Sequence, residues 1–437
     1  MNIILLSGGS GKRLWPLSNE IRSKQFLKLF KNEDGVHESM VQRVYRQLKT
    51  VDNNCNVTIA TSKAQVSSIH NQLGNTVGIS VEPCRRDTFP AIALASAYLH
   101  DVQKVGNNEP VVVLPVDPYV QDDYFVMLKK LGEQASKGEA NLVLMGIEPT
   151  YPSEKYGYII PTDESEVSVV RTFKEKPDQE TAKEYINKGA IWNGGVFAYK
   201  LGYLLDIAEN LLGTSEYAAL YSNYENLPKI SFDYAVVEKE NRIQVMRYSG
   251  EWIDLGSWNT LTDTMSENII GDAIEDDACE NVHIINELDV PILAMGLKDV
   301  VISASPDGIL VSDKDQSGYL KKYVEKMDRE AMFAEKSWGA FKVIDTGNNS
   351  MTIKVSIKPG DGMNYHSHDH RDEVWVVVNG EGRTIVDGME QKVHPGDVIT
   401  MKSGCRHTIF ADTELELIEV QLGKEITIND KHKFPLE

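Results

Sequence analysis

The sequence predicts an α/β domain, then a short β-rich stretch, then an all-β sandwich or barrel. Three observations carry this. Residues 1–265 alternate short apolar runs with amphipathic segments, the pattern of strands and helices in a layered α/β fold. From residue 335 onward, short β-like pieces are separated by turns such as PGDG, NGEG and PGD, the pattern of an all-β sandwich or barrel. A chain of 437 residues is also too long for one ordinary hydrophobic core.

In order, buried strands are expected at 2–7, 57–60, 111–115 and 142–146, with helices at 39–48, 90–102 and 124–135 between them. Such a sheet is largely parallel, and its ligands sit beyond the carboxyl ends of the strands. The pieces VHIINE, VVISAS and GILVS predict a small β-rich subdomain, followed by one helix over 314–328 and a charged connector. Seven strands are then expected at 342–344, 351–357, 374–378, 383–386, 397–401, 407–410 and 414–421. The expected domains are 1–265, 266–334 and 335–437.

Composition narrows the function. Hydrophobic residues at 41% and charged residues at 25% belong to a folded globular chain. A net charge of −20 repels nucleic-acid backbones, so no nucleic-acid partner is expected. The same charge means that any phosphate ligand needs local Lys and Arg, or a divalent metal. No signal peptide and no run near the roughly 20 apolar residues of a membrane span are expected. Cys55, Cys84, Cys279 and Cys405 form no CxxC pair, which favours free thiols in a reducing cytoplasm.

After the first strand comes Ser7-Gly8-Gly9-Ser10-Gly11-Lys12-Arg13-Leu14-Trp15-Pro16-Leu17. A glycine turn after a buried strand lets backbone N–H groups approach an anion, because no Cβ intervenes. Arg13 adds a charge, and Lys24 in KQFL adds another. The spacing is neither GxxxxGK[ST] nor GxGxxG. GGSGKRLWPLS with KQFL resembles the signature of the sugar-nucleotide pyrophosphorylases, specifically the guanylyltransferases for mannose 1-phosphate. The resemblance continues in order. EPCRRDTFPA from Glu82 resembles the base-recognition segment, and LPVD ending at Asp117 the metal-aspartate strand end. YGYI from Tyr156 and FKEKP from Phe173 resemble the sugar-phosphate site. WNGGVF from Trp192, FDYA from Phe232 and WIDLGSW from Trp252 follow.

The resemblance implies a Rossmann-like α/β nucleotidyltransferase domain with a mixed sheet. It also implies transfer of a guanylyl group from GTP to mannose 1-phosphate. The attacking phosphate oxygen is already an anion, so the site must neutralise charge and align two anions rather than supply a strong base. Asp117 and Asp254 are hard oxygen ligands suited to one Mg²⁺. Arg13 and Lys24 are expected to stabilise the triphosphate and the departing pyrophosphate. Lys176 is expected to hold the sugar phosphate as a point charge. Glu175 and Asn193 are expected on sugar hydroxyls, with Gly157 under the ring. Leu6, Gly8, Gly9, Gly11, Glu82, Arg86 and Asp87 make the expected nucleotide site. Asp87 replaces the family's usual Asn, Pro118 its His and Ser23 its Pro. A carboxylate at Asp87 can still accept from the N1–H and N2–H₂ of guanine.

The last domain contains Gly360-x5-His366-x-His368-x4-Glu373-x6-Gly380, with His407 after Pro395-Gly396-Asp397. These are the two motifs of a cupin, a jelly-roll fold. His366, His368, Glu373 and His407 suit a divalent transition metal such as Zn, Mn, Fe, Ni or Co. SWG from Ser337, HR at His370-Arg371, WVV from Trp375 and LIEVQ from Leu417 resemble the isomerase half of bifunctional mannose-6-phosphate isomerase/guanylyltransferases. Arg371 matches that family's arginine and is expected to bind or orient a sugar phosphate. His366 stands where the family has Gln, and Asp369 and Val374 where it has His. His394 and His432 are expected at the surface.

The leading expectation is a Mg-dependent guanylyltransferase, assembled as a homodimer, with no membrane partner. Three alternatives stand beside it: a metal-dependent isomerase as second or main activity, another nucleotide–sugar pair, or a non-catalytic sugar-nucleotide sensor.

Overall fold

The computed structural model describes every residue except Ser10, Glu20, Asp328, Arg329, Glu425, Ile428, Asn429 and Glu437. The chain divides into two compact units. The first holds Met1–Ser10 and Gln25–Ser266, and the second Gly11–Lys24 and Glu267–Glu437. None of its described helices is long and apolar enough to cross a membrane.

The first unit is built on a nine-stranded sheet. Four strands, Gly78–Glu82, Asn56–Ser62, Asn2–Ser7 and Pro110–Pro115, run parallel in that spatial order. The expected strands at 2–7, 57–60, 111–115 and 142–146 all form, because each is a short apolar run that the sheet buries on both faces. Beyond Pro110–Pro115 the sheet turns mixed. Ile191–Lys200 is inserted antiparallel between Pro110–Pro115 and Leu142–Ile147. Ile243–Tyr248 then runs parallel to Leu142–Ile147. Periodicity reports burial and not the partner strand, so this reversal was not readable from the residues.

Helices cover the sheet. Met40–Val51 starts at a capping box, in which Ser39 and Gln42 satisfy each other's backbone N–H groups, a device that fixes where a helix begins. Thr88–Asp101 is buried nearly all round. Its small and apolar residues (Ile92, Ala93, Leu94, Ala95) join the main core with Phe197, Tyr199 and Leu204, as a helix with no polar face must.

In the second unit, Ile269–Ile270, His283–Asn286 and Val300–Ser305 pair in parallel, and Ala273–Glu275 pairs in parallel with Ile292–Ala294. The chain thus coils, burying Val282, Ile284, Ala294 and Ile302. The helix expected over 314–328 does not form as one element. A 3₁₀ turn, Asp315–Tyr319, leads into a four-residue helix, Lys321–Val324; Asp328 lies outside the described residues. The Asp313 carboxylate accepts the Gln316 N–H at 3.1 Å, and Gly318 lowers helix propensity, so the segment winds tightly from the start.

The rest is a two-sheet sandwich. A six-stranded sheet includes Gly339–Gly347, Ser350–Ile357, Leu415–Gly423 and Arg371–Asn379. A five-stranded sheet includes Gly382–Val386, His407–Ala411, His366–Ser367 and His432–Lys433. Trp375, Val377, Leu415 and Leu417 from one sheet share a core with Val393, Ile409 and Ala411 from the other. All seven expected strands are present, and Phe333–Lys336, Met389–Val393 and the two-residue pieces are additional.

The segment Gly11–Lys24 is held within this second unit by polar contacts. Arg22 makes two bonds to the Glu287 carboxylate, at 2.7 and 2.9 Å. Asn19 donates to Asp307 at 2.7 Å, and Ser305 donates to the Pro16 carbonyl at 2.7 Å. Gly11 has φ +63, and a Cβ there would sit 1.9 Å from the Asn19 carbonyl oxygen. Gly11→Ala therefore forces backbone apart as well as straining φ, at about 2 kcal/mol. Calorimetry should show the second unit's melting transition fall by about 4–8 °C; an unshifted transition contradicts this packing.

Candidate functional site

Asp117 follows the carboxyl end of Pro110–Pro115. The next strand, Pro118–Val120, pairs antiparallel with Trp252–Asp254, with Asp254 opposite Pro118. Asp117 and Asp254 are thereby brought to one end of a two-stranded ladder, and both line one cleft with Tyr156, Gly157, Glu175, Asn193 and Asp233. Two carboxylates from adjacent strands, opening on one cleft, are a hard oxygen donor set that fits Mg²⁺. Burial, then the Asp254 charge, pushes the Tyr156 phenol above its ordinary pKa.

The opposite wall is tightly organised. The register of Ile191–Lys200 against Leu142–Ile147 shifts between Asn193 and Phe197, a bulge of the kind that re-aims side chains beside functional sites. Within it, the Asn193 Oδ1 accepts the Gly195 N–H at 3.2 Å and its Nδ2 donates to Asp233 at 2.7 Å. The Asn193 amide is thus oriented from both ends. Its own N–H donates to the Gly157 carbonyl at 2.8 Å. Gly157 has no room for a side chain, since a Cβ would lie 2.6 Å from the Glu175 carboxylate and 3.0 Å from Phe173. Lys176 sits in the left-handed region at φ 44, uncommon for a residue with a side chain and a form of strain that clusters at functional sites. Its ammonium lies 2.6 Å from the buried Glu175 carboxylate. Burial opposes that charge, but Glu175 outweighs it and holds the Lys176 pKa above its ordinary value. Burial, reinforced by the Glu175 charge, raises Asp233 to about 7. Gly157, Glu175, Lys176 and Asn193 are thus brought together; Asp233 joins them unforeseen, although FDYA marked its segment.

On the nucleotide side, Leu6 is the penultimate residue of the first strand, opposite Pro115, and its carbonyl accepts the Val116 N–H at 3.1 Å. Space around Gly8 and Gly9 is open. Arg85 donates to the Gly9 carbonyl at 2.9 Å, a contact that no local pattern favours for Arg85 over its neighbour Arg86. Arg86 has a buried Nε without a hydrogen-bond partner among the described residues. The Glu82 carboxylate accepts from the Tyr224 hydroxyl at 2.8 Å, and burial raises its pKa. Asp87, at φ 68, caps the helix Thr88–Asp101 by accepting the Thr88 N–H at 2.8 Å. Gly11, Arg13 and Lys24 lie in the segment that belongs to the second unit.

The second unit holds a separate constellation. His366, His368, Glu373 and His407 are all buried, with ligand atoms within 4.8 Å of one another. Each imidazole is fixed through Nδ1 to a backbone carbonyl: His366 to Asn364 at 2.6 Å, His407 to Cys405 at 3.0 Å, and His368 to Asp430. That sets the N–H on Nδ1 and leaves the Nε2 lone pair facing inward. The Glu373 oxygens stand 3.1 Å from the His368 Nε2 and 3.2 Å from the His407 Nε2. The His368 Nε2 also stands 3.1 Å from the Arg371 guanidinium, but the His407 lone pair cannot face a carboxylate oxygen at that distance without a cation or proton between them. Among the described residues, the Glu373 Oε2 and His407 Nε2 are also buried without hydrogen-bond partners. The residues therefore fit a divalent transition metal. Burial holds the His366 pKa far below its ordinary value, which keeps it in the ligating form. Arg371 donates to Glu373 at 3.0 Å and to the Thr427 carbonyl at 2.9 Å. A neighbouring trio, Asp369, Asp430 and His432, is occupied differently. The Asp430 carboxylate accepts the backbone N–H groups of Asp369 and His370, at 2.8 and 3.1 Å. The role of Asp430 had no sequence signal. His370, His394 and His432 are exposed.

Residues 2–269 match the nucleotidyl transferase family, and residues 324–435 match the family described as mannose-6-phosphate isomerase C-terminal. Over 98% of its length the chain is 30% identical to the mannose-1-phosphate guanylyltransferase RfbM of Salmonella typhimurium, covering 95% of that protein. It is 31% identical, over 99% of its length and 97% of the relative's, to the xanthan biosynthesis protein XanB of Xanthomonas campestris. A crystal structure titled mannose-1-phosphate geranyltransferase from Thermus thermophilus is similar with a TM-score of 0.63 and 28% identity, covering 75% of this chain and 99% of that one. With a nucleotidyl transferase match over more than half its length and relatives aligned end to end, the chain belongs to the nucleotidyl transferase family, in the group that carries a mannose-6-phosphate isomerase C-terminal domain.

Proposed function

We propose that this enzyme transfers a guanylyl group from GTP to mannose 1-phosphate, giving GDP-mannose and pyrophosphate. One observation carries the reading: a single cleft in the nucleotidyl transferase unit is lined by two aspartates on one side and by Gly157, Glu175 and Asn193 on the other. The end-to-end similarity to a mannose-1-phosphate guanylyltransferase supports the substrate pair.

A phosphate oxygen of the sugar attacks the α-phosphorus; that P–O bond forms as the bond to the bridging oxygen breaks, and pyrophosphate leaves. Asp117 and Asp254 would hold a Mg²⁺, which would supply neutralisation of phosphate charge. The chain's own residues do the rest. Arg13 and Lys24 meet the triphosphate. Lys176 trades its Glu175 partner for the sugar phosphate. Glu175 and Asn193 take sugar hydroxyls above Gly157. The turn at Leu6, Gly8, Gly9 and Gly11 accepts the nucleotide, with Glu82, Arg86 and Asp87 near the base. Pyrophosphate release across a panel of nucleotides and sugar 1-phosphates tests the assignment. GTP with mannose 1-phosphate should be the best pair, and preference for another pair would replace it.

A second reading concerns the cupin. Its four-ligand constellation and the isomerase-domain match favour metal-dependent interconversion of mannose 6-phosphate and fructose 6-phosphate as an additional activity.

Three outcomes are expected. Asp254→Asn should lower guanylyltransferase kcat by about 10²–10³-fold with melting temperature unchanged; full activity removes Asp254 from the site. Asp233 has a raised pKa, so the folded state binds more protons than the unfolded chain between the ordinary carboxylate range and about 7. Stability therefore falls as pH rises through that window and stays reduced above it. Asp233→Asn should thus be more stable than the parent at pH 8, by a margin that vanishes toward pH 4; denaturant melts at both pH values measure it. Finally, His407→Ala should lose the cupin metal by elemental analysis while pyrophosphate release is retained; undiminished metal excludes this ligand set.

A further inference from the structure

The cupin interior contains a carboxyl group that the metal-ligand set does not use. Along Leu415–Gly423 burial alternates, so Leu415, Leu417, Glu419 and Gln421 face inward. The first two belong to the apolar core, and the last two are polar. On the adjoining antiparallel strand the inward residues are Arg371, Glu373, Trp375 and Val377. The register sets Gln421 opposite Glu373 and Glu419 opposite Trp375. Glu419 therefore lies one inward step from the level of the ligand Glu373, at the border between the polar and apolar parts of the interior.

Its surroundings are charged as well as apolar, with Arg371 and the buried Lys431 acting on it. Glu419 is only 7% exposed. The Gln421 amide donates to it and also approaches Glu373 at 3.5 Å. Across the ladder, Trp375 is wholly buried and its indole N–H has no hydrogen-bond partner among the described residues. A buried carboxyl and an orphaned N–H each cost free energy that an aliphatic pair would not, and this strand places leucine at its two preceding inward positions. Polar groups kept at such a cost point to a polar ligand.

The chemistry of an aldose–ketose interconversion needs such a group. The three imidazoles are committed, with Nδ1 on backbone carbonyls and Nε2 facing the centre, and Glu373 is committed with them. Arg371 stays protonated, and Lys431, its pKa lowered by burial, faces Glu419 and Glu373 as a counter-charge. We propose that Glu419 is the proton-transferring group of the cupin centre. The proposal rests on the isomerase reading of this domain. The Glu419 carboxylate takes the proton from C2 of the open-chain aldose phosphate. The C–H electron pair becomes the C1=C2 bond, and the aldehyde oxygen takes the negative charge. The O2 hydroxyl proton passes to O1, the C2=O2 bond forms, and the C1=C2 pair takes the proton back from Glu419 at C1. No atom is gained or lost, and no oxidant is required.

The test uses the full-length, metal-loaded enzyme and Glu419→Gln, which keeps size and removes the proton acceptor. Interconversion of mannose 6-phosphate and fructose 6-phosphate, deuterium uptake from heavy water, metal content and pyrophosphate release are read together. The expected result is a fall in isomerase kcat of about 10²–10⁴-fold, loss of deuterium uptake, KM within about threefold, and unchanged metal and pyrophosphate release. Glu419→Asp, which keeps the carboxylate, should recover part of the turnover. Isomerisation and deuterium uptake persisting in Glu419→Gln overturn the role alone. Loss of metal along with turnover assigns Glu419 to holding the site and also overturns it. A metal-loaded parent enzyme that does not interconvert the two sugars ends the isomerase reading, and this role with it.

Discussion

Two phosphorylated anions have to meet on a chain whose net charge is −20, and that electrostatic conflict governs how the first unit is built. Bulk charge repels both substrates, so the compensation has to be local. The fold supplies the place for it: the carboxyl end of Pro110–Pro115, where Asp117 emerges, and the short ladder that sets Asp254 beside it. Carboxylates alone would worsen the repulsion. Their purpose on this reading is to hold a divalent cation that concentrates positive charge at the point of reaction.

The other features of the cleft follow from needing rigid hydrogen-bonding groups near that point. The bulge after Asn193 turns its amide, and contacts to Gly195 and Asp233 lock both ends. Gly157 stays bare because the Glu175 carboxylate occupies the space a side chain would take. Lys176 holds a left-handed backbone conformation next to its own counter-ion, a strain that the surrounding structure has to hold in place. The second unit solves a related problem differently. Backbone carbonyls fix three histidine tautomers, and a buried glutamate completes a cage that makes electrostatic sense only around a cation.

Legibility from sequence followed physical locality. The strand Asn2–Ser7 and the helix beginning after Ser39 were readable because burial on both faces and a capping box are written in adjacent residues. The cupin ligands were readable because their spacing is itself the motif. What could not be read depends on distant partners. Nothing near Ile191–Lys200 announces that it runs antiparallel between two strands far away in sequence. The parallel coil of Ile269, Ile284 and Ile302 was missed because its strands are short and unevenly spaced, with no repeated residue pattern. Segment 314–328 read as one helix because its side chains suit one, whereas the Asp313 carboxylate and Gly318 favour a tighter turn. Arg85 and Asp430 act through backbone atoms far along the chain, a role that no local pattern encodes.

The central claim is that Asp117 and Asp254 share one divalent ion. Crystals grown with Mn²⁺ in place of Mg²⁺ and with GDP-mannose, examined by anomalous diffraction, test it directly. The account predicts one strong peak in the first unit's cleft, about 2 Å from an oxygen of each aspartate. A peak coordinated by only one of them, or a nucleotide bound with no peak between them, would contradict it.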